Sequence, residues 1–164
     1  MILTAERLRE VLHYWPETGI WTWRVRMGQR GQIGAVAGSI NGKGYRQIKI
    51  DGCVYRANRL AVFYIKGGWP IDEVDHENLD KADDRWLNLR PATKSQNNAN
   101  RPAQANNAIG LKGASRAKRE KKWRAQIKID GRVIYLGLFD TPEAAHFAYI
   151  IAADKAFGQF ARAA

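Results

Sequence analysis

Two short stretches limit most sharply the backbone this chain can build: "YRQIKIDGCVY" and "KWRAQIKIDGRVIYLGLF". In each, apolar and polar residues alternate on both sides of an Asp-Gly pair, Asp51-Gly52 in the first and Asp130-Gly131 in the second. Asp-Gly suits a two-residue turn whose central residues both take positive φ, and a period of two is that of a half-buried strand. Each stretch therefore predicts a β-hairpin. Antiparallel sheet is expected in both halves of the chain, since strands joined this tightly leave no room for the crossover that a parallel pair needs.

The rest of the chain supplies helices and turns. "TAERLREVLHYW" places Leu8, Val11 and Leu12 at helical spacing behind Thr4 as N-cap, with His13 expected as a surface group near the helix end. "PETG" reads as a turn and "IWTWRV" as a strand, and glycines at 31, 34, 38, 42 and 44 punctuate short extended pieces. "RANRLAVFYIKGG" is a helix with Leu60, Phe63 and Tyr64 on one face and Gly67-Gly68 as its stop. "DTPEAAHFAYIIAADKAFG" is another, capped by Thr141, with Pro142 and Glu143 in its first turn and Gly158 past its end. Its alanines at 144, 145, 148, 152, 153 and 156 imply close packing of helix on sheet, and His146 on it is expected to be structural or at the surface. The fold class is α+β, with "PAQANNAIG" as a linker.

Composition narrows the function. The chain is 45% hydrophobic with six tryptophans, as a globular protein is and a disordered one is not. No apolar run approaches the roughly 18–20 residues that span a bilayer, and "MILTAERLREVLHYW" lacks the basic-then-apolar order of a secretory signal. A cytoplasmic protein with no membrane partner is expected. The single cysteine, Cys53, excludes an internal disulfide and a cysteine-built zinc site, and is expected to be packed inside. A net charge of +11 points to a polyanionic partner, most simply nucleic acid. That charge is uneven: residues 110–164 carry 11 Lys and Arg against 5 Asp and Glu, whereas Ile71–Arg90 carries 3 against 7. An acidic island in a basic chain repels phosphates unless something neutralises it, and a bound cation is the simplest candidate.

The island lies in "VDHENLDKADDRWLNLRPATKSQNNANR", Val74 to Arg101. Asp75-His76 ends a strand, "NLRPAT" returns as another, and Thr93 with Gln96 makes a capping box that opens a short helix. A strand end and a packed helix can bring Asp75, His76 and Asn97 together, while Asp80, Asp83 and Asp84 of the connecting loop are expected to stay solvated. Phosphodiester hydrolysis needs a deprotonated water, for which a neutral imidazole is suited near pH 7. It also needs a hard cation to polarise the phosphate, and carboxylate and amide oxygens suit Mg²⁺. On this reading His76 is the base, and Asp75 with Asn97 holds the cation. The competing reading is a polar loop whose asparagines serve only as turn and cap formers.

The run Asp75-His76, Asn88 in "NLR" and Asn97 in "QNNAN", with spacings of 12 and 9 residues, resembles the core of the HNH homing-type endonucleases common in bacteriophages, in its H-N-N variant. The flanking phrases "GGWPIDEVDH", "DDRWLNLR" and "ATKSQNNANR" resemble the family too, as do "LHYWPETGIWTW" and "GYRQIKIDGCVYRANRLA" upstream. The resemblance implies a ββα-metal (His-Me finger) site with one divalent cation, Mg²⁺ or Mn²⁺. It makes His76 the general base, Asp75 and Asn97 the metal ligands, and Asn88 the residue that braces the loop and holds the histidine. In many relatives the position of Asn58 is a histidine beside the same arginine.

The last 55 residues resemble the plant ethylene-response-factor DNA-binding domain, in "KWRAQI", "YLGLFDTPEAA" and "FAYIIAADKAFG". That implies a three-stranded antiparallel sheet on one helix, with the sheet in the major groove. Strand alternation sets Trp123, Ala125 and Ile127 on one face and Arg124, Gln126 and Lys128 on the other, which is the face assigned to DNA. Arg116 and Arg119 are assigned to phosphates or base edges. The expected organisation is an HNH endonuclease domain over residues 1–101 with its ββα-metal core at about 71–101, a linker over 102–109, and a DNA-binding domain over 110–164. The expected activity is metal-dependent hydrolysis of duplex DNA by a monomer, giving nicks. Two alternatives are a non-catalytic DNA-binding regulator with a relic nuclease core, and an RNA-directed protein in which Trp21, Trp23 and Tyr45 stack on bases.

Overall fold

A computed structural model describes residues 3–28, 31–104, 107, 109–117 and 121–162. The chain forms two compact units, residues 1–91 and 92–164.

The first unit begins with helix α1, Ala5–Val11, whose N-cap Thr4 accepts a hydrogen bond from the amide of Arg7. Leu8 and Val11 are fully buried on its inner face. The helix stops at Val11, because Leu12 turns extended (φ −131°, ψ 147°) and opens strand β1, Leu12–Trp15. This corrects the expectation of helix through Leu12 with His13 at its end. His13 lies in a strand paired with Thr22, in register with β2, Ile20–Trp23. Across the Pro16–Gly19 turn the run His13-Tyr14-Trp15 pairs with "IWTW", and β-favouring aromatic residues set opposite one another, such as Tyr14 and Trp21, stabilise the hairpin. Tyr14 and Trp21 stack with centroids 4.6 Å apart at the centre of the core.

A second antiparallel sheet follows, built from β3 (Ser39–Ile40), β4 (Arg46–Ile50) and β5 (Cys53–Arg56) in that order. Asp51 and Gly52 take φ of 47° and 86°, the doubly positive turn that their sequence predicts. Ile48 and Ile50 point inward. Cys53 is exposed, not packed as expected, because it immediately follows this tight turn. Helix α2, Ala57–Lys66, covers the core with Leu60, Ala61 and Phe63 and ends at Gly67 in the left-handed conformation. Strands β6 (Glu73–His76) and β7 (Leu89–Ala92) form a two-stranded sheet, with a 3₁₀ turn at Trp86–Asn88 between them.

The second unit contains helix α3, Lys94–Asn100, which starts with the capping box read from Thr93 and Gln96. Strands β8 (Ala114–Arg116), β9 (Trp123–Ile129) and β10 (Arg132–Phe139) form an antiparallel sheet with β9 in the centre. Helix α4, Pro142–Phe157, lies on this sheet. Its buried residues, Ala145, Tyr149, Ala153 and Phe157, recur every fourth position and meet a sheet face that includes buried Ala125 and Ile127. Gly113 faces the Tyr149 ring so closely that a Cβ there would lie 2.2 Å from it. Lys112 gathers the loops: its Nζ donates to the carbonyls of Ala99 (2.6 Å), Arg101 (2.8 Å) and Arg162 (3.1 Å). His146 Nδ1 donates to the carbonyl of Lys112 at 2.8 Å, in keeping with a structural role.

Candidate active site

Strand β6 carries Val74, Asp75 and His76, all buried. The start of α2 holds this segment in place. Asn58 is buried and its Nδ2 donates to the carbonyl of Val74 at 3.1 Å. The Arg59 guanidinium donates to the carbonyls of Asp72 (2.8 Å) and Pro70 (2.9 Å). Asn58 is thus a peg beneath the strand.

The partner of His76 was not legible in the sequence. His76 Nε2 lies 3.2 Å from Oδ1 of Asp84, a residue expected to be solvated and in fact only 2% exposed. The second oxygen, Oδ2, is buried with no hydrogen-bond partner among the described residues. Burial raises the pKa of Asp84, and the hydrogen bond from His76 opposes that rise. The N-terminal hairpin braces the Asp84 backbone. Tyr14 donates its hydroxyl to the Asp84 carbonyl at 2.6 Å, and the amide of Trp86 donates to the Pro16 carbonyl at 2.8 Å. Gly19, at φ 71°, sits so close that a Cβ would lie 2.5 Å from the backbone of both Asp84 and Arg85. Burial also raises the pKa of the Tyr14 hydroxyl, and the Asp84 charge adds to the rise.

Asn88 is buried in the connecting loop and closes it from three directions. Its Oδ1 accepts from the Asn78 amide (3.0 Å), its Nδ2 donates to the Asp83 carbonyl (2.8 Å) and its own carbonyl accepts from the Glu77 amide (3.0 Å). Asp83 is gripped by the Arg85 guanidinium at 2.7 and 2.6 Å, which holds its carboxyl down at about 2. Asp75 Oδ2 is paired with Arg90 Nε at 3.0 Å. Two carboxylates of the acidic island, Asp83 and Asp75, are therefore paired with the chain's own Arg85 and Arg90. A single cation is not its only counter-charge.

Asp75, His76 and Asn88 are gathered in the first unit, with Asp84 added to them. Asn97 lies on α3 in the second unit, its amide closing a turn onto the Thr93 carbonyl at 2.9 Å. Among the described residues no group of three or more His, Cys, Asp and Glu side chains is arranged to hold a metal ion. Asp75 offers a hard carboxylate, the class of oxygen ligand that a hard divalent cation takes, and Arg90 is paired with it. In the second unit Arg124 and Lys128 are exposed and Gln126 is half-buried on β9, paired with Leu138, Val133 and Tyr135 of β10 respectively. Exposed Arg116 lies over the Trp123 ring at 5.6 Å. Arg119 is outside the described residues. No described helix is long and apolar enough to cross a membrane.

Of the His76–Asp84 pair, the sequence marks only the histidine by its chemistry. Asp84 stands in the sequence as one of three loop acids, and the one signal that sets it apart is position, next to the "RW" where the chain re-enters the core. Comparison with curated proteins and with solved structures gives no match. Residues 55–99, from the end of β5 through most of α3, match the family model described as HNH endonuclease, and this match supports a DNA nuclease domain in the middle of the chain.

Proposed function

We propose that this chain is a metal-dependent DNA endonuclease that nicks duplex DNA, with His76 as general base. The observation that carries the reading is the buried His76–Asp84 pair inside the segment that matches the nuclease family. As a carboxylate, Asp84 can only accept, so the imidazole keeps its proton on Nε2 and its lone pair on Nδ1. Nδ1 then takes the proton of the attacking water, and Asp84 stabilises the imidazolium that forms. Asp84 is a positioning residue: it acts through the histidine. Asn88 fixes the loop on which Asp84 stands.

HNH nucleases use a divalent cation, here proposed as Mg²⁺ or Mn²⁺, which polarises the phosphate and stabilises the departing oxygen. Asp75 is the proposed carboxylate ligand, and the sequence motif supports Asn97 as an amide ligand. The exposed Arg116, Arg124 and Lys128, with Gln126 and Arg119, are proposed to bind duplex DNA through the second unit, on the strength of its basic charge and its resemblance to a DNA-binding domain. One site per chain is expected to cut one strand, and the protein is proposed to act as a cytoplasmic monomer.

The test is relaxation of supercoiled plasmid with Mg²⁺, Mn²⁺ or EDTA, using the native chain and His76→Ala. Open-circle product that requires the cation and is absent with His76→Ala is the expected result. Duplex binding without cleavage would replace the enzyme with a DNA-binding regulator.

A further inference from the structure

Several arginines of the first unit are already occupied. Arg7 is paired with Asp51 and Glu10, Arg59 holds two carbonyls, Arg85 grips Asp83 and Arg90 holds Asp75. Arg56 and Lys81 differ. Both are exposed, and neither has a carboxylate partner among the described residues. Both lie over one ring: the Arg56 Cζ is 4.5 Å and the Lys81 Nζ 5.3 Å from the centroid of Tyr45. That ring is itself 5.9 Å from the His76 imidazole, centroid to centroid.

The seat is built, not incidental. Asn41 Oδ1 accepts from the amides of Lys43 (2.9 Å) and Tyr45 (3.1 Å), which fixes the turn that delivers Tyr45. Lys81 Nζ donates to the Lys43 carbonyl at 3.2 Å, tying the loop that Asn88 closes to that same turn. Arg46, next in the chain, adds a further positive charge close enough to act on Asp84. Two like charges on one ring, no more than about 10 Å apart, repel each other within a Debye length. An anion between them relieves the repulsion, and the ring attracts both cations without neutralising either. Trp21 and Trp23 are buried in the core and take no part in binding bases, and Tyr45 already carries cations, so a stacked base is not what this ring serves.

We propose that Arg56 and Lys81, seated on Tyr45, form a two-point clamp on the phosphates of the DNA backbone beside the bond presented to His76. That the bond is then cut rests on the nuclease reading; that the clamp binds phosphate does not. The clamp contacts no base edge, so it sets the position of the strand without reading its sequence.

The experiment measures affinity of the full chain for a labelled duplex in EDTA across salt, comparing the native protein with Arg56→Gln, Lys81→Gln, the double variant and Tyr45→Leu. Each lost phosphate contact lowers the slope of log K against log salt by about 0.9, so the double variant loses about 1.8. Its affinity then falls about twelve-fold less than that of the native chain between about 50 and 200 mM salt. Tyr45→Leu keeps both charges but unseats them, and is expected to lower the slope as well; Tyr45→Phe keeps the ring and is expected to match the native chain, which separates the clamp from a folding defect. Lys66→Gln, which removes an exposed charge from the end of α2, is the reference for a charge outside the clamp. A double variant whose slope equals that of Lys66→Gln overturns the clamp, and so does a well-folded Tyr45→Leu with the native slope. Cleavage that depends on His76 alongside unchanged slopes removes the clamp alone. Lowered slopes in a chain that never cuts DNA support the clamp and remove the nuclease.

Discussion

Replacing Asp84 by Asn tests the site at its least expected residue. Asp84 accepts from His76 Nε2 through Oδ1 and leaves Oδ2 buried without a partner. An asparagine fits the same space in two ways. With its carbonyl toward His76, its NH₂ occupies the partnerless position and two donors are stranded; with its NH₂ toward His76, one donor is used and a single N–H and a carbonyl are stranded, the carbonyl where Oδ2 is now. Buried orphan carbonyls are the better tolerated, so the second arrangement prevails. The NH₂ then donates to Nε2, the imidazole proton moves to Nδ1, and the nitrogen required to accept from water is blocked. The interaction lost is a charge-assisted hydrogen bond of about 1.5–3 kcal/mol, which corresponds to about 10- to 150-fold in rate. The assay is single-turnover cleavage at saturating protein, with ¹⁵N chemical shifts of the histidine ring reporting the tautomer. Asp84→Asn is expected to fall at least as far as Asp84→Ala, although Asn is nearly isosteric and Ala leaves a cavity. Stability should move the other way. Because burial raises the folded-state pKa of Asp84, the native chain holds that proton more tightly than the unfolded one, so its stability falls as pH climbs from about 4 through the raised value. Asp84→Asn removes that decline and is expected to be at least as stable near neutral pH while far less active. An Asn variant within two-fold of native cleavage would refute the assigned tautomer.

Gly19→Ala should impose a left-handed non-glycine residue and a 2.5 Å contact with the backbone of Asp84, costing about 1–3 kcal/mol in urea melts and lowering cleavage even where the chain is still folded. Asn58→Leu should strand the Val74 carbonyl at a cost of about 1–3 kcal/mol and slow cleavage, whereas Asn58→His, which keeps a donor, should retain both stability and rate. Lys112→Met should leave three carbonyls without their donor and destabilise the second unit by about 1–3 kcal/mol in thermal or urea unfolding. Burial and the neighbouring Arg162 pull Lys112 down to about 8. The unfolded chain therefore binds more protons from about pH 8 to about 10.5, stability rises with pH across that window, and Lys112→Met should abolish the rise.

The parts of this molecule written locally were legible in its sequence, and the parts made by chain return were not. Both Asp-Gly hairpins formed because the turn chemistry and the alternation lie within a dozen residues of each other. The Thr93–Gln96 capping box formed for the same reason. Leu12–Trp15 misled because its helical spacing continued that of α1, while the strand that captures it begins only after the next turn. Asp84 misled more deeply. Between Lys81 and Arg85 an acid reads as a solvated loop residue, and its burial depends on Tyr14, Pro16 and Gly19, some seventy positions earlier. The N-terminal hairpin, which carries no residue of the nuclease motif, thus determines where the motif's histidine finds its acceptor. On the proposed nuclease reading, the matched segment, residues 55–99, is therefore not expected to serve as a self-sufficient catalytic unit. Cut away from the first hairpin, Asp84 would lose the Tyr14 hydrogen bond and the wall at Gly19 that keep its carboxylate against His76. An excised core should therefore bind the cation and DNA more readily than it cuts.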